Sequence, residues 1–569
     1  MKLWMERLRR GLRRSPNEIA IRAAFELRAL VDRFASPPRT PVSEADWDRL
    51  RARPFPLPDV PERHEVREPA ALARARIVDL LGSGPITLGD PIDWHIDFKS
   101  GLRWPLRFFR DLDLNDIGRP SDVKVPWELS RLQWLLPLAQ EYRTTRDERD
   151  AAFVRDVLIQ WMARNPYAWG VNWGIAMEAA MRILTWTALF HIFAEAEAWR
   201  APDFRRAFLQ TLYRHAIFCR RYIEDFGAAG NHLIADATGL VFAGAFFGEE
   251  SWSRDGWRIL NREILRQVGS DGVDFEGSLG YHRFVADLFR WAARVGPVEE
   301  AYRQRLIAMD AFTAACTGPD GERPRWGDDD DGRALPLESD PIIRTGSSHA
   351  FEQAGIYILA GARDHIFIDC GATGFAHGHN DVLSFEAVLD GVRLLTDSGN
   401  YAYTSSVEER NRFRSGAAHN APVIDGMEPN PFTPGELFRI VERVTPRLID
   451  FEPRRFVGSY EGASVRPVRT ITLDPDRHVL KVRDDFSGEG PHRVAVTLHI
   501  AAGLELVHEG DKAWRVGGRF HLVLESDGWE TLETISWYAP SYGVKVARSA
   551  LILSRNGPLA SLAFSLGPS

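Results

Sequence analysis

Apolar residues recur at helical spacing through the first half of the chain. The stretch Trp127-Glu128-Leu129-Ser130-Arg131-Leu132-Gln133-Trp134-Leu135-Leu136 shows the pattern, as do residues 153–161, 175–190, 208–223, 233–247, 257–267 and 284–295. Short breaks such as Asn165-Pro166 and Gly227 to Gly230 separate them. Amphipathic helices in series, joined by short turns, predict stacked helical hairpins: a bundle, a solenoid or a closed α/α toroid. No fixed-period repeat is visible, which disfavours the named solenoid families. Glu178 and Arg182 stand at i and i+4 in the favourable order, predicting an ion pair along one helix.

The pattern changes after Gly318-Pro319-Asp320-Gly321. Residues 324–340, rich in Asp, Gly and Pro, read as a linker. Within it, Asp328-Asp329-Asp330-Asp331-Gly332 lacks the alternating ligands and distal Glu of an EF-hand, so it reads as solvated chain. Beyond it, strand-like segments cover 354–360, 365–370, 383–389, 392–396, 468–473, 478–482, 494–500, 520–524 and 544–553. Asp390-Gly391 between two of them predicts a type I′ hairpin. Such a series predicts a large antiparallel sandwich. The chain therefore reads as an α+β multidomain protein. A helical extension over 1–65 precedes a helical domain over 66–334 and a strand domain over 335–569.

Length agrees with that division, since 569 residues exceed one core. A net charge of -8 argues against a bulk nucleic-acid binder, although a local Arg-rich cleft can still take an anionic substrate. Cys219, Cys316 and Cys370 form no CxxC pair or disulfide framework and read as buried small hydrophobes. The N-terminus, with Lys2, Arg7, Arg9 and Arg10, is basic but has no apolar core, so no signal peptide is expected and a cytoplasmic location is the expectation as sequenced. It predicts a solvated first helix, with adsorption to an anionic membrane surface as the rival reading. No apolar run reaches the ~18 residues needed to span a bilayer.

Chemistry concentrates in a few places. Ala376-His377-Gly378-His379-Asn380-Asp381 is followed by Thr396-Asp397-Ser398-Gly399 and Ala418-His419-Asn420. His379, Asp397 and His419 make a zinc-type ligand set. The rival is surface His residues with Asp397 capping its own turn. His377 is left over as a candidate base. In the helical half, Asn231 of Gly230-Asn231-His232-Leu233 can cap a helix, or its amide can donate to an anionic group. Asp271 to His282 is a polar, Gly-punctuated loop entering a helix, with Glu276 and Tyr281 in it. Eighteen Trp is a high count: most fit the core, while Trp94, Trp104, Trp127, Trp169 and Trp173 offer aromatic surface for a sugar. P-loop, GxSxG, HExxH and dinucleotide motifs are absent. A two-carboxylate hydrolase is not excluded by motif.

These residues resemble the heparinase II/III-like polysaccharide lyases, a group that includes alginate lyases. The match runs through Trp127-Glu128-Leu129-Ser130-Arg131, Asn172-Trp173 to Arg182, Gly230-Asn231-His232-Leu233, Asp271-Gly272 to His282, Gly327-Asp328, His377-Gly378-His379, Thr396-Asp397-Ser398-Gly399 and Ala418-His419-Asn420, over roughly residues 70–500. The resemblance implies an N-terminal incomplete α/α toroid followed by an antiparallel β-sandwich. It implies β-elimination on a uronic-acid glycan, heparan-like or a bacterial exopolysaccharide. Asn231, helped by His232, would hold the uronate carboxylate. Tyr281 would serve as acid, or as both acid and base, and His377 as base for the other epimer. His379, Asp397 and His419 would hold one structural Zn2+ that braces the loop of His377. Glu276, Trp173, Arg412 and Arg414 would contact substrate. Tyr401 and Tyr403 lie near, but at a different offset from, the extra Tyr of some alginate lyases. Family members are commonly exported, unlike the expectation here. The alternative is a non-catalytic glycan-binding or exopolysaccharide-assembly protein that keeps the fold. The oligomeric state is left open.

Overall fold

The structure is a computed structural model that describes residues 16–568 apart from 228, 339–342 and 375. The basic start over residues 1–15 lies outside the described residues. Two compact units emerge. One holds residues up to Ile264 together with Asp287–Glu299 and 333–338; the other holds Leu265–Ala286, Glu300–Gly332 and 343–568.

The first unit is built from helical hairpins. Ala176–Phe193, Pro202–Arg221 and Asn231–Phe247 pack against one another, and Glu148–Arg164 lies against Pro202–Arg221. Ala176–Phe193 and Asn231–Phe247 are buried on nearly every side, which is why their sequences are apolar around the whole circumference. Their approach is close because Gly239 has no side chain: a Cβ there would meet Ala180 Cβ at 2.7 Å. The Glu178–Arg182 pair does not form as expected. Arg131 takes both Glu178 oxygens, at 2.7 and 3.1 Å. Arg182 turns to His215 Nε2 at 2.9 Å and the Asn172 carbonyl at 2.6 Å. Across helices a guanidinium reaches a better-shaped, desolvated partner than the flexible i, i+4 contact provides.

The second unit is antiparallel throughout its three large sheets. Eight strands run in the order Thr445–Glu452, Arg455–Glu461, Val465–Asp474, Val479–Gly488, Leu562–Pro568, Phe520–Leu524, Ala513–Val516, Leu506–Gly510. A second sheet has four strands and a third has five, His349–Phe351 to Val392–Leu395. One apolar core, including Leu359, Ile368, Phe456, Leu480, Leu551 and Phe564, joins residues from all three. In the hairpin 385–395, Asp390 and Gly391 have φ of 46° and 75°, the pair of left-handed residues that a type I′ turn requires. Tyr281 and Glu276 belong to this second unit, although they precede the strand region in sequence.

Candidate active site

A tight backbone cluster sets the scene. Gly378 separates His377 from His379, and a Cβ at 378 would fall 1.3 Å from the Thr373 carbonyl oxygen, so only Gly fits between the two imidazoles. The His377 backbone accepts from Asp328 N–H at 2.9 Å, and its own N–H reaches the Glu276 carbonyl at 3.3 Å. Ser278 begins the helix Leu279–Val295: its hydroxyl accepts the Tyr281 N–H at 3.0 Å and donates to the Asp328 carbonyl. Three distant segments are thereby pinned to one another.

Their side chains converge. Tyr281 and His377, 6% and 7% exposed, stack with centroids 3.5 Å apart. The Tyr281 hydroxyl donates to Asp330 at 2.9 Å and lies 3.2 Å from the Tyr403 hydroxyl. Burial pushes the Tyr281 hydroxyl well above its ordinary range, and the Asp330 carboxylate adds to this. Burial does the same to Tyr403, with Asp328 next in effect. Both phenols therefore stay protonated at neutral pH.

Asp328 is the hub, and here the expectation of a solvated linker is corrected. Its side chain is wholly buried. One oxygen lies 3.0 Å from His377 Nδ1, the other 2.9 Å from His379 Nε2, and Arg410 grips both oxygens. Burial alone would raise this carboxyl, but the Arg410 charge and the histidine bonds outweigh it and hold the group well below the usual range. A run of four Asp looks solvated until a buried Arg neutralises one of them.

His379, Asp397 and His419 come together, each fully or almost fully buried, and one ligand atom from each lies within 4.8 Å of the others. His379 Nδ1 and His419 Nε2 have no hydrogen-bond partner, while Asp397 lies 2.6 Å from His419 Nδ1. Burial would raise the Asp397 carboxyl, yet His419 draws it below its ordinary value; burial would lower His419, yet Asp397 raises it. Two imidazoles with orphaned, buried nitrogens beside a carboxylate are a donor set suited to zinc.

Other expected residues are placed differently. Arg414 spends its guanidinium on Asn411 and the Leu437 and Glu436 carbonyls, and it is buried, so it braces a loop and offers no charge to a ligand. Arg412, on the outer face of the helix Val407–Arg414, pairs with Glu408 and Glu409. Trp173, expected to meet substrate, is 1% exposed and stacks on His215 at 4.7 Å in the first unit's core. Asn231 is the first residue of its helix and Gly230 is the N-cap, which corrects the capping expectation. The Asn231 side chain is buried, and His232 Nδ1 lies 3.0 Å from Glu224.

Asp328, Asp330, Tyr403 and Arg410 were not singled out from the sequence as site residues. One signal was available for Arg410: Arg410, Phe413 and Arg414 recur at i, i+3, i+4 and are the buried face of their short helix, whereas Arg412 is not on it.

Known proteins share the family pattern and the fold. Residues 64–337 match the family described as Heparinase II/III N-terminus, and residues 343–561 match Heparinase II/III-like, C-terminal. A heparin-sulfate lyase of Bacteroides stercoris is 24% identical over 403 residues, covering 59% of this chain and 56% of that protein. One of Pedobacter heparinus is 24% identical over 393 residues, covering 60% and 55%. The chain thus spans little more than half the length of these relatives. The crystal structure of heparinase III superposes with a TM-score of 0.71 at 17% identity, covering 92% of this chain and 88% of that one. At that identity the likeness shows the fold: an incomplete α/α toroid followed by an antiparallel β-sandwich. With both matched regions in order and together covering most of its length, the chain belongs to the heparinase II/III family.

Proposed function

We propose that this protein is a polysaccharide lyase that cleaves a uronic-acid-containing acidic glycan by β-elimination. The observation that carries this reading is the stacked Tyr281–His377 pair, with the Tyr281 hydroxyl held in a hydrogen-bond chain. Elimination needs a base for the C5 proton and an acid for the departing glycosidic oxygen. A phenol kept protonated by burial suits the acid, and a neighbouring imidazole suits the base. The uronate carboxylate must also be held so that negative charge can build on it. The family resemblance gives this role to Asn231, supported by His232; Asn231 stands in the first turn of a 17-residue helix, and a helix N-terminus favours an anion. Names of the relatives, heparin-sulfate lyases, agree with a glycosaminoglycan-type substrate.

One Zn2+ would be held by His379, Asp397 and His419 and, when bound, would cross-link the loops that carry them. The protein groups do the proton transfers. Among the described residues no helix is long and apolar enough to cross a membrane.

A panel of uronate polysaccharides, followed by ultraviolet absorbance for an unsaturated uronate, tests the reading. Absorbance rising with at least one polymer is expected. Saturable glycan binding with no new double bond would instead establish a binding protein, and reducing ends without a double bond would establish a hydrolase.

A further inference from the structure

Building on the proposed lyase chemistry, we infer that Asp328 is a positioning residue that sets the tautomers of two histidines at once. It leaves the lone pair of His377 on Nε2, to act as base, and the lone pair of His379 on Nδ1, to bind the metal.

The geometry is that of a carboxylate with four donors around it. Oδ1 faces His379 Nε2 at 2.9 Å and one Arg410 nitrogen. Oδ2 faces His377 Nδ1 at 3.0 Å and the other Arg410 nitrogen at 2.7 Å. A carboxylate beside a guanidinium only accepts, so each imidazole nitrogen that faces it carries a proton. A neutral ring carries one proton, and the remaining nitrogen of each ring is therefore the acceptor. For His379 that nitrogen is Nδ1, the buried atom without a hydrogen-bond partner beside Asp397 and His419. For His377 it is Nε2, on a ring stacked against Tyr281.

The two rings point opposite nitrogens at the same side chain, Nδ1 from one and Nε2 from the other. Gly378 makes this possible: the Thr373 carbonyl fills the space a side chain would take, and the turn is tight enough for both rings to reach one carboxylate. Base and metal site consequently share one anchor. A change at Asp328 disturbs both, whereas a change at His377 disturbs the base alone.

Nitrogen-15 spectra of histidine-labelled protein, assigned with H377Q and H379Q, read the tautomers directly. At neutral pH, His377 is expected with its proton on Nδ1 and His379 with its proton on Nε2. The same tautomer at both positions, or the reverse pair, overturns the inference. A second arm uses D328N, with folding checked by circular dichroism and thermal melting. Folded D328N is expected to lose roughly 10–100-fold in zinc affinity and a similar factor in kcat, with KM little changed. Zinc affinity and kcat both within twofold of the parent overturns it. D328N leaves the Arg410 guanidinium without its counter-charge; should that variant not fold, the tautomers of the unmodified protein still decide. Spectra and zinc affinity need no substrate, so a protein that makes no unsaturated product would refute the lyase reading and leave this test intact.

Discussion

The Tyr281 ring lies face to face with the His377 imidazole, 10° from parallel. Their functional atoms are held from behind, the phenol by Asp330 and Tyr403 and the imidazole by Asp328. Removing the Tyr281 hydroxyl while keeping the ring preserves the stack and deletes the proton donor. Y281F should lower kcat by about 10²–10⁴-fold, the usual worth of a general acid or base, and leave the melting temperature nearly unchanged. A Y281F enzyme as fast as the parent would remove Tyr281 from the chemistry.

Tyr403 touches the same hydroxyl. Its hydroxyl is 3.2 Å from that of Tyr281, and its N–H donates to the Tyr542 hydroxyl at 2.9 Å. A buried hydrogen bond of about 1 kcal/mol corresponds to roughly a fivefold change in rate. Y403F should therefore reduce kcat by about five- to tenfold with KM steady, far less than Y281F. Steady-state kinetics on the two variants side by side separates the roles.

Metal content gives a prediction independent of catalysis. Protein purified without chelators should contain about one zinc per chain, and H419A or D397N should abolish it. Zinc removal should lower the melting temperature, since an ion bound only by the folded state stabilises it. Elemental analysis finding no metal in the parent protein would refute the assignment.

The β unit holds a second buried ion pair, Arg469 with Asp484, both side chains fully buried and joined at 2.6 and 2.7 Å. Arg469 also donates to the carbonyls of Leu383 and Asn420, the latter adjacent to His419. D484N strands the guanidinium and should cost about 3–5 kcal/mol. Chemical denaturation would measure this; a loss under 1 kcal/mol would mean that water relieves the charge.

Acid should destabilise the fold through two histidines held neutral, the half-buried His191 and the buried His365. Burial lowers His191, stacked on Phe55, and His365, bonded to the Ala315 carbonyl, from 6.5 to about 4 each. Between those values the unfolded chain binds more protons than the folded one, so stability is full above pH 6.5 and falls as pH drops toward about 4. The loss is about 3 kcal/mol per histidine. H191F should flatten the decline of melting temperature with acid by that histidine's share, and an unchanged slope would show that His191 is already protonated in the fold.

Much of this is legible in the sequence for a physical reason. The helical and strand halves declare themselves through periods that arise within a few residues, and Asp390-Gly391 announces its turn because few pairs tolerate two left-handed residues. The grouping of His379, Asp397 and His419 was suggested by side-chain chemistry. Arg412 and Trp173 depart from the expectation because residue type does not reveal facing: one lies on the outer face of a short helix and the other fills a core. Asp328 stands in the Gly327-Asp328 match, but the joint hydrophilicity of its acidic neighbours masks its burial.

By itself, then, the chain's pattern determined the two kinds of architecture and the types of group available for acid, base and metal binding, since these follow from local periodicity and functional-group chemistry. Only the tertiary structure decided which of them act together. Asp328 meets His377 across 49 residues, Arg410 meets Asp328 across 82, and Tyr281 meets Tyr403 across 122. No local propensity encodes such meetings. They arise when packing removes water from the segments and leaves each buried charge or donor to find its partner.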